Sequence, residues 1–322
     1  MSYGTLSVEQ TATPIRAPTT LLPQDVSVIV PVRDNPMGIS RLIEAIRVCS
    51  DAGHGPREVI IVDDGSEEPV STAPRAGAVA ITVVRQLGTG PARARNVGAK
   101  LATGSWLLFT DSDCEPTNSW VKGFIPALNG SIAYAGGVRA KGSDRLSRYY
   151  DTQRTLVPPP GRPGYPAYLV TANALVWRVA FDAVGGFDER FPYAAGEDID
   201  FGLRLWRIGD ISYAPEALVV HDFEPTWTAF VSRFIRYGRG NRFLAAHYGA
   251  SLRPRPFVPA SLSWFNAVAS VAQYVSMTLG YEAERIWRRR ADAASFRTAP
   301  APDNAKLDPH TNLRQIGSSR GV

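Results

Sequence analysis

Residues 105–113 read SWLLFTDSD. An apolar run that ends in two aspartates one position apart is either a buried strand with a polar turn after it or the rim of a binding site. Three other runs share its character: VSVIVPV (26–32), EVIIVDD (58–64) and AVAITVV (78–84). Each is short, rich in Val and Ile, and apolar nearly throughout instead of alternating. That is the pattern of strands covered on both faces, as in a parallel sheet. Helix-like stretches lie between them: MGISRLIEAIRVC (37–49), with Ile39, Leu42, Ile43 and Ile46 on one face, and GPARARNVGAKLA (90–102). The alternation implies right-handed βαβ units and a doubly wound half-domain. Ligands of such open sheets bind beyond the carboxyl ends of the strands. The residues delivered there are Pro31-Val32-Arg33, Asp63-Asp64-Gly65-Ser66 and Asp111-Ser112-Asp113. Two acidic pairs on one rim repel each other unless a cation or a donor-rich ligand sits between them.

A chain of 322 residues with 44% hydrophobic and 20% charged residues can bury a sizeable core, in one large domain or two small ones. Its net charge of +5 is unevenly spread. Residues 1–230 carry 21 basic and 25 acidic side chains, whereas the remainder carries 14 and 5, an asymmetry that points to an anionic surface or partner. Two cysteines without a CxxC exclude a disulfide framework or a Cys-based zinc site and fit a reducing compartment. The N-terminus has no apolar core of a signal peptide. Residues 1–24 and 291–322, rich in Thr, Pro, Ala and polar residues, read as disordered tails.

The middle of the chain is less regular. IAYAGGVRA (132–140) reads as a strand, VPPPGRPGYPAY (157–168) as a loop, and ALVVHD (217–222) as a short strand. Ile199, Leu203 and Trp206 have helical spacing, which sets Glu197 and Asp198 at a helix N-terminus, where the dipole favours carboxylates. Two acids at i and i+2 on a strand end can reach one hard cation, so TDSD is either a solvated turn or a holder of Mg²⁺ or Mn²⁺ against a diphosphate. VDDGS is either an ordinary turn or an acceptor for a nucleobase or ribose. GTGPARARNVG (88–98) runs from a flexible loop into a helix start with Arg93 and Arg95, both features that favour phosphate. It lacks the P-loop and dinucleotide glycine patterns.

The ordered series VSVIVPVRDN, VDDGS, ARNVGA, LLFTDSD, GGFDERF and GEDIDFGLRLWRIG resembles the family 2 inverting glycosyltransferases of GT-A fold, over about residues 25–240. The resemblance implies a GT-A catalytic domain at 25–225, with a nucleotide-binding half at 25–115 and an acceptor half at 116–225. A helical extension follows at 226–290. It implies that Pro31, Arg33, Asp63, Asp64, Arg95, Asp111 and Ser112 surround a nucleotide-sugar donor, usually UDP-linked. Asp113, with Asp111 and His221, would hold the divalent ion, although a lone His after an apolar strand is as readily structural. Asp198 would be the general base and Glu197 its support. RFIRYGRGN (233–241) is similar to the Q/RxxRW segment of some relatives, with Tyr237 where tryptophan is usual, which speaks against a polymer-making role. The acceptor is a hydroxyl on a small molecule, a lipid-linked compound or a cell-envelope glycan; no nucleic acid partner is expected. Two competing classes are a sugar nucleotidyltransferase, whose signature loop and PK motif VPVRDNP lacks, and a non-catalytic sugar-nucleotide-binding or membrane scaffold.

No charged residue occurs from Phe257 to Tyr281, and ERIWRRR follows. Ser263, Asn266, Ser270 and Gln273 recur at helical spacing, opposite a broad apolar face. Three placements stay open: a helix packed on the domain or across a homodimer, an interfacial helix with arginines at anionic headgroups, or a membrane span. The expected location is cytoplasmic, with peripheral membrane contact through 257–290 as one outcome.

Overall fold

A computed structural model describes residues 10, 13–160 and 166–292, the side chains of 288–292 excepted. The first half contains β1 (Val26–Val32), α1 (Pro36–Asp51), β2 (Glu58–Asp64), β3 (Arg75–Ala76), β4 (Val79–Gln86), α2 (Pro91–Leu101) and β5 (Trp106–Thr110). There follow β6 (Cys114–Pro116), β7 (Ala133–Ala140), α3 (Arg145–Thr152), β8 (Asn173–Trp177), α4 (Arg178–Ala183), α5 (Glu197–Ile208) and β9 (Ile211–His221). Two long helices close the described chain, α6 (Trp227–Tyr248) and α7 (Trp264–Asp292).

Among the described residues one sheet runs β3-β4-β2-β1-β5-β8-β7-β9-β6. The four strands expected from the apolar runs are there and parallel: Val28 lies between Val59 of β2 and Leu108 of β5, and β4 pairs with β2. The residues of β1, β2 and β5 are buried on both faces, which is why they read as continuous apolar runs, whereas β4 is only partly covered. From β1 the chain passes through α1 to β2 on one side, and α2 later returns it from β4 to β5 on the other side, so a crevice opens at the carboxyl end of β1.

The second half is mixed. β8 runs antiparallel to β5 and β7, β7 runs parallel to β9, and β6 runs antiparallel to β9 at the edge. The pairing Cys114↔His221 brings the end of β9 to the DSD segment. Asn173 ties this half together: its amide donates to the carbonyls of Gly137 and Ala217, and its oxygen accepts from the Trp120 indole. Phe109, Phe181, Phe187 and Phe201 interlock beneath the site.

Several expectations change. Residues 13–22, read as part of a tail, lie on the domain: Ile15 donates to the carbonyl of Ile208, Ala17 to that of Gly130, and Ala17 and Leu21 are buried. The final strand begins at Ile211, six residues before the expected ALVVHD, and α3 and α4 were not foreseen. Residues 1–9, 11, 12, 161–165 and 293–322 lie outside the described residues, and with them most of both expected tails, while Ala291 and Asp292, expected in the second tail, end α7. The chain divides into compact units after Glu284, so α6 and most of the expected extension belong to the same unit as the sheet.

Helices α6 and α7 meet backbone to backbone. A Cβ on Gly238 would collide with the carbonyl of Met277, and one on Gly280 with that of Ile235. No helix among the described residues is long and apolar enough to cross a membrane, which removes the span placement. Of the expected polar stripe, Ser270 and Gln273 are buried, as are Ser276 and Glu284 further along α7, while Asn266 is half-buried and Ser263, just before the helix, is exposed. Gln273 accepts from the Tyr149 hydroxyl at 2.8 Å, and Glu284 from that of Tyr193 at 3.0 Å. Gly280→Val should therefore destabilise the chain by about 1–3 kcal/mol through overpacking, read as a lower urea midpoint.

Candidate active site

A cleft of about 530 Å³ opens beyond the carboxyl ends of β1, β2 and β5. Pro31, Arg33, Asp64, Arg95, Asp111, Ser112, Asp113, Glu197, Asp198 and His221 all line it. The strand-end acids and the acids of α5 thus share one cavity although some 85 positions separate them in the chain.

Arg95 makes the join. It stands on α2, buried, and donates to Asp111 Oδ1 at 2.9 Å and to Glu197 Oε1 at 2.8 Å. Burial opposes its charge, but Asp111 and Glu197 outweigh that and keep it cationic. The other Glu197 oxygen is buried without a partner. Burial raises the Glu197 pKa, with Arg95 pulling the other way. For Asp198, burial and then the neighbouring Glu197 charge push the pKa up to about 7. Its backbone position favours the anion, since Asp198 Oδ1 accepts from Ile199 N–H at the helix start, but the helix dipole is outweighed. Asp200 in the same motif is structural: fully buried, it holds Arg204 at 2.8 Å and accepts from the Tyr248 hydroxyl at 2.7 Å.

The two aspartates of DSD part ways. Asp111 turns to Arg95, whereas Asp113 Oδ1 lies 3.3 Å from His221 Nε2. Burial, then Arg233, pushes the His221 pKa down to about 3, leaving a neutral imidazole whose Nδ1 is buried without a partner. Its ring stacks on Phe223. Asp113, His221 and the Cys114 sulfur lie close enough to hold one ion. Burial pushes the Cys114 thiol well up, so it remains a thiol and the useful donors are the Asp113 oxygen and the His221 nitrogen. A hard divalent cation fits such an O,N pair. Asp111 is not in this group; its Oδ1 accepts from Arg95 instead.

Asp63 and Asp64 differ too, because successive strand residues face opposite sides. Asp63 accepts from Ser66 N–H at 2.8 Å and Val70 N–H at 3.2 Å, building the turn, and does not line the cleft. Asp64 does line the cleft, and its carboxylate accepts from the backbone of Thr89 and Gly90 and from Gln86 Nε2. It therefore holds the GTG loop at the start of α2 and keeps lone pairs for a ligand. Ser112 Oγ is bonded to Asn35, the cap of α1, while Arg33 stands exposed at the mouth.

The RFIRYGRGN segment and residues that the sequence did not single out complete the wall. Arg233 and Arg236 of α6 line it, with Tyr237 and Asn241. Arg233 lies over the rings of Phe223, at 4.9 Å, and Tyr150. The RxxRY spacing in RFIRYGRGN was the signal for both arginines. Tyr168, Val170 and Thr171 line it as well.

Comparison with known proteins gives two family matches, "Glycosyl transferase family 2" over residues 27–185 and "Glycosyl transferase family group 2" over 143–287. A pre-mycofactocin glycosyltransferase of Mycobacterium tuberculosis strain H37Rv is 32% identical over 243 residues, 72% of this chain and 50% of that protein. Hyaluronan synthase of Pasteurella multocida is 26% identical over 53% of this chain and 22% of its own length. The chain thus spans half or less of these relatives. Among solved structures, the mannosyltransferase PcManGT from Pyrobaculum calidifontis, in complex with GDP-Man and Mn²⁺, has a TM-score of 0.50 at 17% identity, covering 98% of this chain and 84% of that one. That likeness bears on fold alone.

Removing Arg95 should be costly, because it strands two acids. Arg95→Met is expected to lose about 3–5 kcal/mol of stability, and adding Glu197→Gln should recover part of it, both read by denaturant unfolding.

Proposed function

Because the chain belongs to the family 2 glycosyltransferases, we propose that its cleft transfers one sugar from a nucleoside-diphosphate sugar to an acceptor hydroxyl, with inversion at the anomeric carbon. One observation carries the reading: Asp198, a carboxylate with its pKa near 7, opens onto the same cleft as the acids at the end of β5. A general base works best when its pKa lies near the working pH. Asp198 takes the proton of the acceptor hydroxyl as that oxygen bonds to the anomeric carbon and the bond to the diphosphate breaks. A single displacement of this kind inverts the configuration and leaves no sugar on the enzyme.

Arg95 and Glu197 hold the base in register with the donor side of the cleft. Arg233 and Arg236 offer positive charge to the departing diphosphate. Asp113 and His221 would hold Mg²⁺ or Mn²⁺, and a cation bound there neutralises diphosphate charge. The resemblance favours UDP as the nucleotide; GDP belongs in any screen, since a mannosyltransferase of this fold was solved with GDP-Man. Both cysteines are free and buried, in keeping with the cytoplasmic location proposed here.

Asp198→Asn should lower transfer by about 10²–10⁴-fold, the share of a general base, with nucleotide-sugar binding by calorimetry retained. The folded pKa of Asp198, about 7, lies above the unfolded value of about 4. Ionising it therefore costs stability as the pH rises through that interval, and the Asn variant should melt no lower than the native chain at neutral pH. The native rate should fall about tenfold per pH unit below about 7 and level off above it. His221→Ala should weaken Mn²⁺ binding by at least about tenfold, measured by electron paramagnetic resonance with UDP present.

A further inference from the structure

The inward polar stripe of α7 leaves its apolar side outside. Trp264, Val268, Val271, Val275 and Leu279 are 70%, 51%, 61%, 44% and 59% exposed. At about 100° per residue they fall within a stripe roughly 80° wide, opposite the buried Gln273 and Glu284. Val258 and Leu262, in the segment leading into the helix, are exposed as well. So is Trp227 at the start of α6, 5.7 Å from the ring of Phe265. A soluble helix ordinarily turns its apolar stripe to the core. Here the core-facing side has found polar partners in Tyr149 and Tyr193, so the outward stripe is not a substitute for packing.

We propose that this face docks on a lipid bilayer with anionic headgroups, lying in the interface plane. The charge around it is the argument for that occupant. Between Glu224 and Glu282 the sequence contains no Asp or Glu, so no acid from that stretch offsets the arginines beside the face. The exposed Arg145 lies 5.4 Å from the Trp264 ring and 5.7 Å from that of Phe265, with Arg148 exposed on the same helix and Arg255 exposed before α7. Asp144, next to Arg145, is engaged in capping α3, and Glu282 is paired with Arg253. Tryptophan, valine and leucine flanked by unanswered arginines match an interfacial membrane helix, in which apolar side chains enter the acyl boundary and guanidiniums meet phosphates. A two-fold pair through the same patch would set it against itself, arginines included, without an acid to answer them.

Flotation of the full chain with phosphatidylcholine vesicles, with and without roughly one-third phosphatidylglycerol, tests this directly. The chain should float with the anionic vesicles only, less at high salt. Val271→Asp/Val275→Asp should reduce the bound fraction by roughly tenfold or more, with its melting temperature unchanged because both side chains are exposed. Arg145→Glu/Arg255→Glu should release the chain at low salt. Anionic-vesicle binding that survives the aspartates would overturn the proposal by assigning it to the basic termini. So would no vesicle binding at all, whether the chain is monomeric or forms a dimer that the aspartates dissolve. Nucleotide-sugar binding should be the same in all variants, which separates this proposal from the chemistry of the cleft.

Discussion

A single buried guanidinium sets the geometry on which the cleft depends. Arg95 reaches Asp111 at the end of β5 and Glu197 at the start of α5, so two elements from opposite halves of the chain meet on one side chain. It can do so because α2 lies close against β1: a Cβ on Gly98 would press into Ile29. A buried ion pair adds little stability in itself, but geometric specificity is one attested use of such groups. Here it fixes Asp198, the residue after Glu197, relative to the strand ends. The raised pKa of Asp198 follows from the same crowding, since burial and the Glu197 charge both oppose its ionisation.

The parallel half of the fold was legible because β1, β2 and β5 are covered on both faces and show as uninterrupted apolar runs. So was the start of α5, where Ile199, Leu203 and Trp206 gave the period. The mixed second half was harder. β6 has three residues, and β7 and β9 pair with a register shift at Gly136/Gly137 that no local pattern announces. Neighbouring acids that look alike in sequence also diverge in space. Asp63 folds into its own turn while Asp64 fastens the GTG loop. Asp111 finds Arg95, and Asp113 finds His221 through the pairing of β6 with β9. Such partners are tertiary, so spacing within a motif cannot assign them.

The C-terminal helices show the same limit from another side. Periodicity found both faces of α7 but not which of them packs inward. Gln273 and Glu284 are buried because tyrosine hydroxyls from α3 and from the loop before α5 meet them. Through Tyr193 that contact ties α7 to the segment that leads into Glu197 and Asp198. Helix α6, pressed between, shows Gly238 to α7 and Arg233 and Arg236 to the cleft. A helix that looked like an appendage in sequence is part of the wall of the site.

The most direct measurement is a crystal structure of the full chain with Mn²⁺ and a non-hydrolysable UDP-sugar. The anomeric carbon is expected beside the Asp198 carboxylate, on the face away from the diphosphate, with the metal on Asp113 and His221 and the phosphates toward Arg233 and Arg236. A donor bound with its sugar outside this cleft, or with Asp198 on the diphosphate side of the anomeric carbon, would contradict inversion by this base.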